Sequence, residues 1–514
     1  MKYISMKKIR IKCYEKNGIY IRGSAFYKDF YYSSEQIYLK LIKKRNISEI
    51  IQFINSLNGH FSIVIDNSDF TIAFQDRFST YHLCYSHYKN KLYVSDETLF
   101  IVKETNQYDI NTKGYSDLIY TGFINFNETF VNNIFKVMPR EYVLYNKKEN
   151  KVTVEKYNFY HYKRENIYSD KEAEINFKRV FKDVAKRLEK RLNNRQAVVM
   201  LSGGVDSRFC ALLLKEIKYE NVILVTYGTK LSKEYGPAIN VAKKLGYKHY
   251  FIPYKKSTWA KTYKNKESLE YIKYSTNLMV NAHLREHFVI KQLLKKEIIG
   301  KDSIIIPGHI GNIAGRSFYS KANIHTNLNS IMFKSRMLFY DTKNLKSKHM
   351  QYLVKRVKTI TSDLKQIKDT YEICEAYERY SLESYTVLYL INSVRAYDFY
   401  GINWYMPLLD NEIVDFFSKI EIEKKYKKNY LYTFVDNKLP NLSYAKVSNK
   451  YIAKFINNLL DKRYSCISIF NTFTLKCEAN KHLSIFKRVY RYYRNFSAYC
   501  AVVETDIFKK QLKN

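Results

Sequence analysis

Between Val198 and Leu214 the chain reads VVMLSGGVDSRFCALLL, an apolar run that enters Ser202-Gly203-Gly204-Val205-Asp206-Ser207 and continues at once into an apolar helix-like segment. A strand that is apolar throughout needs cover on both faces, and such strands belong to parallel sheets flanked by helices. The pattern recurs downstream. NVILVTYG, EYGPAINVAKKLG, HYFIPY, the long helical stretch NAHLREHFVIKQLLKKEI and SIIIPGH alternate strand with helix, which predicts a doubly wound parallel α/β sheet. At a strand-to-helix turn, backbone amides and the helix N-terminus converge into an anion site, and glycine is needed where a phosphate oxygen approaches the main chain. No Gly-Lys-Ser/Thr follows, so the loop is not of the Walker type. Five specified residues at a frequency of about 0.06 each meet by chance in roughly one of a few thousand chains of this length. The turn therefore reads as a phosphate loop.

Upstream the pattern is different. From about residue 18 to 160, Tyr/Ile/Val/Phe-rich runs alternate with polar turns (GIYIRGSAFY, GHFSIVIDNSD, FTIAFQDRF, KLYVSDE, REYVLYNKKENKVTVEKY), interrupted by one expected helix over SEQIYLKLIKKRNISEIIQFINSL. This part is β-rich. At Ser169-Asp170 the period changes, with Ile175, Phe177, Val180, Phe181, Val184, Leu188 and Leu192 read as a helical stripe behind an N-cap serine. A chain of 514 residues exceeds what one core usually holds. Two domains are expected, residues 1–165 and 166–514, the second mostly helical beyond about residue 325.

Composition excludes more than it selects. No run of 18 apolar residues and no signal-peptide block are present, so the cytoplasm is the expected compartment. The seven cysteines (Cys13, Cys84, Cys210, Cys374, Cys466, Cys477, Cys500) are scattered without a Cys-x-x-Cys pair, and read as reduced thiols. The net charge of +38 comes from lysines spread along the chain, together with abundant Asn, Ile and Tyr, as an AT-rich coding sequence yields. No nucleic-acid-binding motif accompanies the charge, so no nucleic-acid partner is expected. Attraction to an anionic sugar or a membrane-bound carrier stays open, as do peripheral membrane association and homo-oligomerisation.

The Ser-Gly-Gly-x-Asp-Ser loop resembles the pyrophosphate loop of the ATP pyrophosphatases, and the chain as a whole is similar to the asparagine synthetase family. VTYGTKLSKEYGPAINVAKKLGYKHY resembles the family's second strand and helix, whose strand end, here Val225 to Gly228, receives adenosine. YMPLLDNEIVDFF resembles its Pro-Phe-Leu-Asp segment, with Pro407, Leu409 and Asp410 in register. NGHFSIVIDNSDFTIAFQDRFSTYHLCYS with LYVSDE resembles the core of its class II glutaminase domain, Asp76-Arg77-Phe78 being the clearest match. The resemblance implies an N-terminal glutaminase-like (Ntn-type) sandwich and a C-terminal adenine nucleotide α-hydrolase-like sheet with a helical extension.

Two departures matter. A glutaminase of this family attacks with an N-terminal cysteine, whereas this sequence begins Met1-Lys2-Tyr3; the resemblance then implies a scaffold rather than an amide hydrolase. Where the family carries Gly-Glu-Gly-x-Asp-Glu, this sequence has Gly308-His309-Ile310-Gly311-Asn312, a form similar to a subgroup associated with bacterial surface-polysaccharide loci. The resemblance implies that a substrate carboxylate, such as that of a uronic acid, attacks the α-phosphorus of ATP. Pyrophosphate leaves into the loop, and an amine displaces AMP. The implied nucleotide contacts are Leu201, Ser202, Gly203, Gly204, Asp206, Ser207, Val225, Tyr227, Gly228 and Gly308, the amides of Gly203, Gly204, Asp206 and Ser207 holding pyrophosphate. Mg²⁺ is assigned to Asp206 and Asn312. His309 serves as base toward the amine or as holder of the carboxylate, and Lys446 or Lys450 stabilises the tetrahedral intermediate. The nitrogen source is ammonia, a partner glutaminase or an amine. Intramolecular closure of the β-lactam or lasso-peptide synthetase type, and a non-catalytic ATP-binding subunit, are the alternatives.

Overall fold

The computed structural model describes residues 3–7, 9–160, 166–228, 230, 232, 234–254, 265–308, 310–311, 370–425 and 429–444. In the N-terminal part, β1 (Ile4–Ser5), β2 (Cys13–Lys16), β3 (Ile19–Tyr27), β4 (Phe30–Tyr32), β5 (Leu57–Asp66), β6 (Phe70–Gln75), β7 (Cys84–Tyr88), β8 (Lys91–Ser95), β9 (Phe135–Lys136), β10 (Glu141–Asn146) and β11 (Lys151–Lys156) form two sheets. The larger has the order β11-β10-β6-β5-β3-β2 with β4 on β3, and the smaller β1-β8-β7-β9. Side-chain alternation explains their packing. Val64, Ala73 and Val143 of the large sheet meet Leu83, Tyr85 and Val94 in one core, while Phe61, Ile63, Ile72 and Phe74 point the other way, under helices.

Those helices are α1 (Ser34–Leu41) and α2 (Ile47–Asn55), not the single helix expected. Asn46 is the reason. Its side chain accepts from Glu49 N at 2.9 Å, offering the backbone a cap in place of a continued helix. Two further helices, α3 (Thr98–Thr105) and α4 (Thr112–Thr121), complete this part.

After α5 (Asp170–Leu192) come β12 (Ala197–Met200), α6 (Val205–Glu216), β13 (Val222–Gly228), α7 (Tyr235–Leu245), β14 (Lys248–Pro253), α8 (Lys266–Thr276), α9 (Leu284–Lys295) and β15 (Ile304–Pro307). A capping box between Ser169 and Glu172 starts α5. Ile175 departs from the expected stripe and is 59% exposed, because it lies about 200° around the helix from Phe177. Beyond residue 370 the described chain is largely helical: α10 (Thr370–Ser381), a π-helical stretch Leu382–Leu390, α11 (Arg395–Phe399), α12 (Asn411–Phe417), α13 (Ile422–Lys425) and α14 (Asn429–Lys438). A short strand, β16 (Asn403–Trp404), joins the sheet.

The third sheet is parallel throughout, in the order β14-β13-β12-β15-β16. Its two faces are both apolar. Ala197, Val199, Leu201, Ile304 and Ile306 pack against residues of α5, α6, α7 and α12. Val198, Met200, Ile223, Val225 and Ile305 share the opposite core with α9, α11 and the N-terminal residues Phe78, Tyr81, Phe123 and Phe126. The N-terminal part therefore supplies much of the cover for one face of the parallel sheet. Among the described residues no helix is long and apolar enough to cross a membrane. Among the described residues Cys13, Cys84 and Cys210 take part in no disulfide.

Candidate active site

The first strand of the parallel sheet lies in its middle. From β12 the chain winds outward through β13 and β14, then returns to the other side as β15. The gap between the carboxyl ends of β12 and β15 is thus the topological switch point, where doubly wound sheets hold their ligands. A Cβ on Gly308, just after β15, would stand 2.3 Å from the Met200 carbonyl oxygen and 2.4 Å from Ser207 Cβ. Only glycine lets the end of β15 lie this close to the loop that follows β12. At Gly311 a Cβ would meet the Asp206 carboxylate at 2.1–2.5 Å, and the Gly311 N–H donates to Asp206 Oδ2 at 3.1 Å. Between them, buried Ile310 has φ of 80°. That conformation is strained for a β-branched residue and persists only where its surroundings hold it.

The loop is braced by its own serines. Ser207 Oγ accepts from Ser202 N at 3.0 Å and lies 3.1 Å from Ser202 Oγ, which in turn accepts from Gly204 N at 3.1 Å. Gly204 is the N-cap of α6, so Asp206 and Ser207 stand in its first turn. Their amides belong to the helix end that attracts anions. Of the four amides assigned to pyrophosphate, that of Gly204 is engaged by the hydroxyl two residues back, as serines in turns do. A phosphate oxygen at Gly204 would have to displace Ser202 Oγ. Among the described residues no three His, Cys, Asp or Glu side chains group as a metal centre. A dication at the loop would rest on Asp206 and take its other ligands from phosphate oxygens, the usual arrangement for Mg²⁺.

The neighbouring strand end is firmly tied. Leu201 N donates to Val225 O at 2.8 Å, and Thr226 Oγ1 donates to Leu201 O at 2.8 Å. Gly228 O accepts from Tyr254 N at 2.7 Å, with Gly228 at φ 128°. The Tyr227 side chain faces α9, its hydroxyl donating to Glu286 Oε1 at 3.2 Å. His309, Asn312, Lys446 and Lys450 lie outside the described residues.

Asp76 and Asp410, both within segments carrying the resemblance, act as structural hydrogen-bond acceptors. The buried Asp76 carboxylate accepts from Phe61 N at 2.9 Å and Phe78 N at 2.7 Å, and burial raises its pKa to about 6 against these bonds. Asp410 receives a fork from Arg187, Nε to Oδ2 at 2.7 Å and Nη2 to Oδ1 at 2.9 Å, and accepts from Asn58 Nδ2 at 3.0 Å. It also caps α12 through Glu412 N at 3.0 Å. One carboxylate thereby joins α5, α12 and β5. Nearby, His60 Nε2 accepts from Met406 N at 3.2 Å. Its pKa falls to about 3, burial being the main cause and the Arg191 charge the second.

Sequence reasoning passed over Arg208, the residue immediately after the loop motif. It is fully buried, donates to Ser443 O at 2.5 Å and Leu442 O at 3.4 Å, and stacks on the Tyr444 ring at 3.8 Å. The helix that begins at the loop thus holds residues 442–444, two positions before Lys446. An arginine one turn into an otherwise apolar helix was the available signal. A cavity of about 250 Å³, lined by residues of 111–113 and 128–135, includes none of the assigned site residues.

A family model described as QueC, Queuosine biosynthesis protein QueC, matches residues 196–292. That segment, less than a fifth of the chain, begins just before β12 and includes the glycine loop. Two solved structures are similar. The NH3-dependent NAD synthetase from Campylobacter jejuni subsp. jejuni, in complex with the nitrate ion, is 15% identical over 41% of this chain and 95% of its own, with a TM-score of 0.24. The glutamine phosphoribosylpyrophosphate amidotransferase from B. subtilis, complexed with ADP and GMP, is 12% identical over 63% of this chain and 70% of its own, with a TM-score of 0.20. Likeness at these TM-scores does not establish a shared fold. No curated protein matches the chain.

Proposed function

We propose that the chain is an ATP-dependent amide-forming enzyme, with a glutaminase-like scaffold over residues 1–165 and an ATP-pyrophosphatase-type synthetase domain over 166–514. The observation that carries this reading is the serine-braced loop Ser202–Ser207 at the switch point of a parallel sheet, with the start of α6 behind it. The QueC family match over the same segment supports it.

In this reading a substrate carboxylate attacks the α-phosphorus of ATP. The bond to the bridging oxygen breaks, and pyrophosphate departs toward the loop. An amine then attacks the acyl carbon, the acyl–oxygen bond breaks, and AMP leaves. The loop amides and the dipole of α6 stabilise negative charge as it accumulates on the leaving group. Asp206 holds Mg²⁺, which when bound neutralises phosphate charge. Gly308 and Gly311 keep the β15 end close enough for the acyl group to lie beside the loop. His309 and Lys446 or Lys450 are the proposed acid–base and oxyanion groups, and a uronic acid of a surface glycan is the proposed acceptor.

Pyrophosphate exchange into ATP, measured over a panel of carboxylates that includes uronic acids, tests the reading. Exchange that needs a carboxylate and Mg²⁺ supports it. ATP binding without exchange for any carboxylate would leave a non-catalytic nucleotide-binding subunit in its place.

A further inference from the structure

The helix-covered face of the large N-terminal sheet carries an apolar surface that nothing in the chain covers. Of the eight large apolar side chains exposed among the described residues, three lie within residues 30–42: Phe30 is 70% exposed, and Leu39 and Ile42 are each 50% exposed. The other five are spread singly over residues 108–269, as on an ordinary protein surface. Tyr27 and Phe30 are direct partners across the β3–β4 hairpin, so their side chains leave the sheet on one face. Tyr27 and Tyr32 pack against the core beneath α1 and α2, which puts Phe30 on the same side as these helices. Ile37, Tyr38 and Leu41 turn α1 inward, and the helical angle then sends Leu39 to the outer crest, with Ile42 its neighbour three positions on.

Lysines occupy the space between these side chains. Lys28 Nζ stands 5.9 Å from the centre of the Tyr27 ring, Lys40 Nζ 5.7 Å from Tyr32, Lys44 Nζ 5.3 Å from Phe53 and Lys16 Nζ 5.7 Å from Tyr38. The rings are themselves neighbours, Tyr27 lying 6.1 Å from Tyr32 and 5.7 Å from Phe53. Hairpin tip, α1 and the turn after it therefore make one continuous surface. Lys43 N donates to Lys40 O at 3.3 Å and Lys44 N to Leu41 O at 2.9 Å, which fixes that turn. The strip carries Lys16, Lys28, Lys40, Lys43, Lys44 and Arg45 against the carboxylates of Asp29, Glu35 and Glu49. Glu49 is engaged by the Arg45 N–H, and Lys190 of α5 adds a further cation at the hairpin, donating to Asp29 O at 2.6 Å. Glu15 pairs with Tyr20, whose side chain packs on the opposite face of the sheet.

Charge and composition select what covers this surface. Protein–protein contacts are depleted in lysine. An anionic headgroup layer attracts it, and long lysine stems leave the ammonium among the headgroups while an apolar neighbour enters the acyl boundary. We propose that the β3–β4 hairpin tip and α1 dock on an anionic membrane surface, with Phe30, Leu39 and Ile42 entering the acyl boundary and the surrounding lysines pairing with headgroup phosphates. This inference does not depend on the amide-forming reading above.

Sedimentation of the full chain with phosphatidylcholine vesicles, with and without an equal part of phosphatidylglycerol, tests the proposal. The chain should bind the mixed vesicles and leave the neutral ones. A net charge of +38 attracts anionic lipid over the whole molecule, so variants must locate the contact. Combined Phe30→Ser, Leu39→Ser and Ile42→Ser leaves the charge unchanged and should weaken binding at least about tenfold. Combined Lys40→Gln, Lys43→Gln and Lys44→Gln should do the same, at least about tenfold. Combined Lys171→Gln, Lys182→Gln and Lys186→Gln removes equal charge from exposed positions of α5 and should change binding less than about twofold. Equal losses in the two lysine variants with none in the apolar variant would mean attraction by charge alone and overturn the proposal, as would failure to bind the mixed vesicles. In the unaltered chain, hydrogen exchange at residues 28–45 should slow on the mixed vesicles. Slowing confined to other segments would equally refute the surface.

Discussion

Replacing Gly308 by alanine adds one methyl group at the point where β15 meets the glycine loop. That methyl would lie 2.3 Å from the Met200 carbonyl oxygen and 2.4 Å from Ser207 Cβ, with Ser207 Cα at 2.9 Å. Ordinary contact begins at 3.4 Å, so something must move by about 1 Å. The neighbours are main chain and a Cβ, which cannot rotate away, and the displacement falls on the loop itself. Overpacking of this kind costs about 1–3 kcal/mol. Gly236→Ala is the matched control. Gly236 sits in α7 with nothing within 4 Å of the added Cβ, and there alanine should stabilise by about 0.5–1 kcal/mol through helix propensity. Denaturant unfolding of both variants, with ATP titration of each, reads the two effects. Gly308→Ala should lose stability and ATP affinity together, and Gly236→Ala should lose neither. If Gly308→Ala unfolds at the wild-type midpoint and binds ATP normally, the close approach of β15 to the loop is not what shapes the site.

Asp206→Asn keeps an oxygen for the Gly311 N–H and removes the charge. Its unfolding midpoint should stay near wild type, while Mg²⁺-dependent ATP binding measured by calorimetry falls at least about tenfold. Arg208→Met removes two bonds to backbone carbonyls and a stacked ring, each charge-assisted bond being worth roughly 1.5–3 kcal/mol. Hydrogen exchange should then accelerate at residues 429–444 before the parallel sheet is affected. Asp410→Asn removes the charged half of the Arg187 fork and leaves that buried guanidinium only the part-exposed Glu412 carboxylate, 3.3 Å away, as an ionic partner, and should cost up to about 3–5 kcal/mol in urea unfolding. His60 binds a proton less readily folded, near pH 3, than unfolded, near 6.5. Its contribution is complete above 6.5 and is lost as pH falls from there toward 3, with a slope up to about 1.4 kcal/mol per unit. Asp76, raised to about 6 chiefly by burial, acts in the opposite direction, so the readout is the difference between wild type and His60→Gln. That difference should shrink with acid below 6.5, and a constant offset would refute the assignment.

Local chemistry was legible in the chain itself. The apolar strand, the glycine turn and the apolar helix of residues 198–214 appear in order as β12, loop and α6, since each depends on residues within a few positions of one another. Ser169 announced α5 for the same reason, its capping box closing over three residues. Less legible was anything set by competition or geometry around an axis. Asn46 divides a helix that hydrophobic spacing alone would continue, and Ile175 faces solvent because helical angle, not apolar character, decides the buried stripe.

The remaining features were decided by tertiary structure. Periodicity tells which face of an element is buried but not what covers it. Arg208 meets carbonyls 234 and 235 positions away, Asp410 pairs with an arginine 223 positions before it, and β16 joins a sheet edge nearly a hundred residues after β15. Tyr227 and Glu286 converge only because β13 ends opposite the first turn of α9. Each of these contacts closes a long loop of chain, and the entropy of that closure is offset by the packing of whole layers rather than by any local preference of the residues that touch.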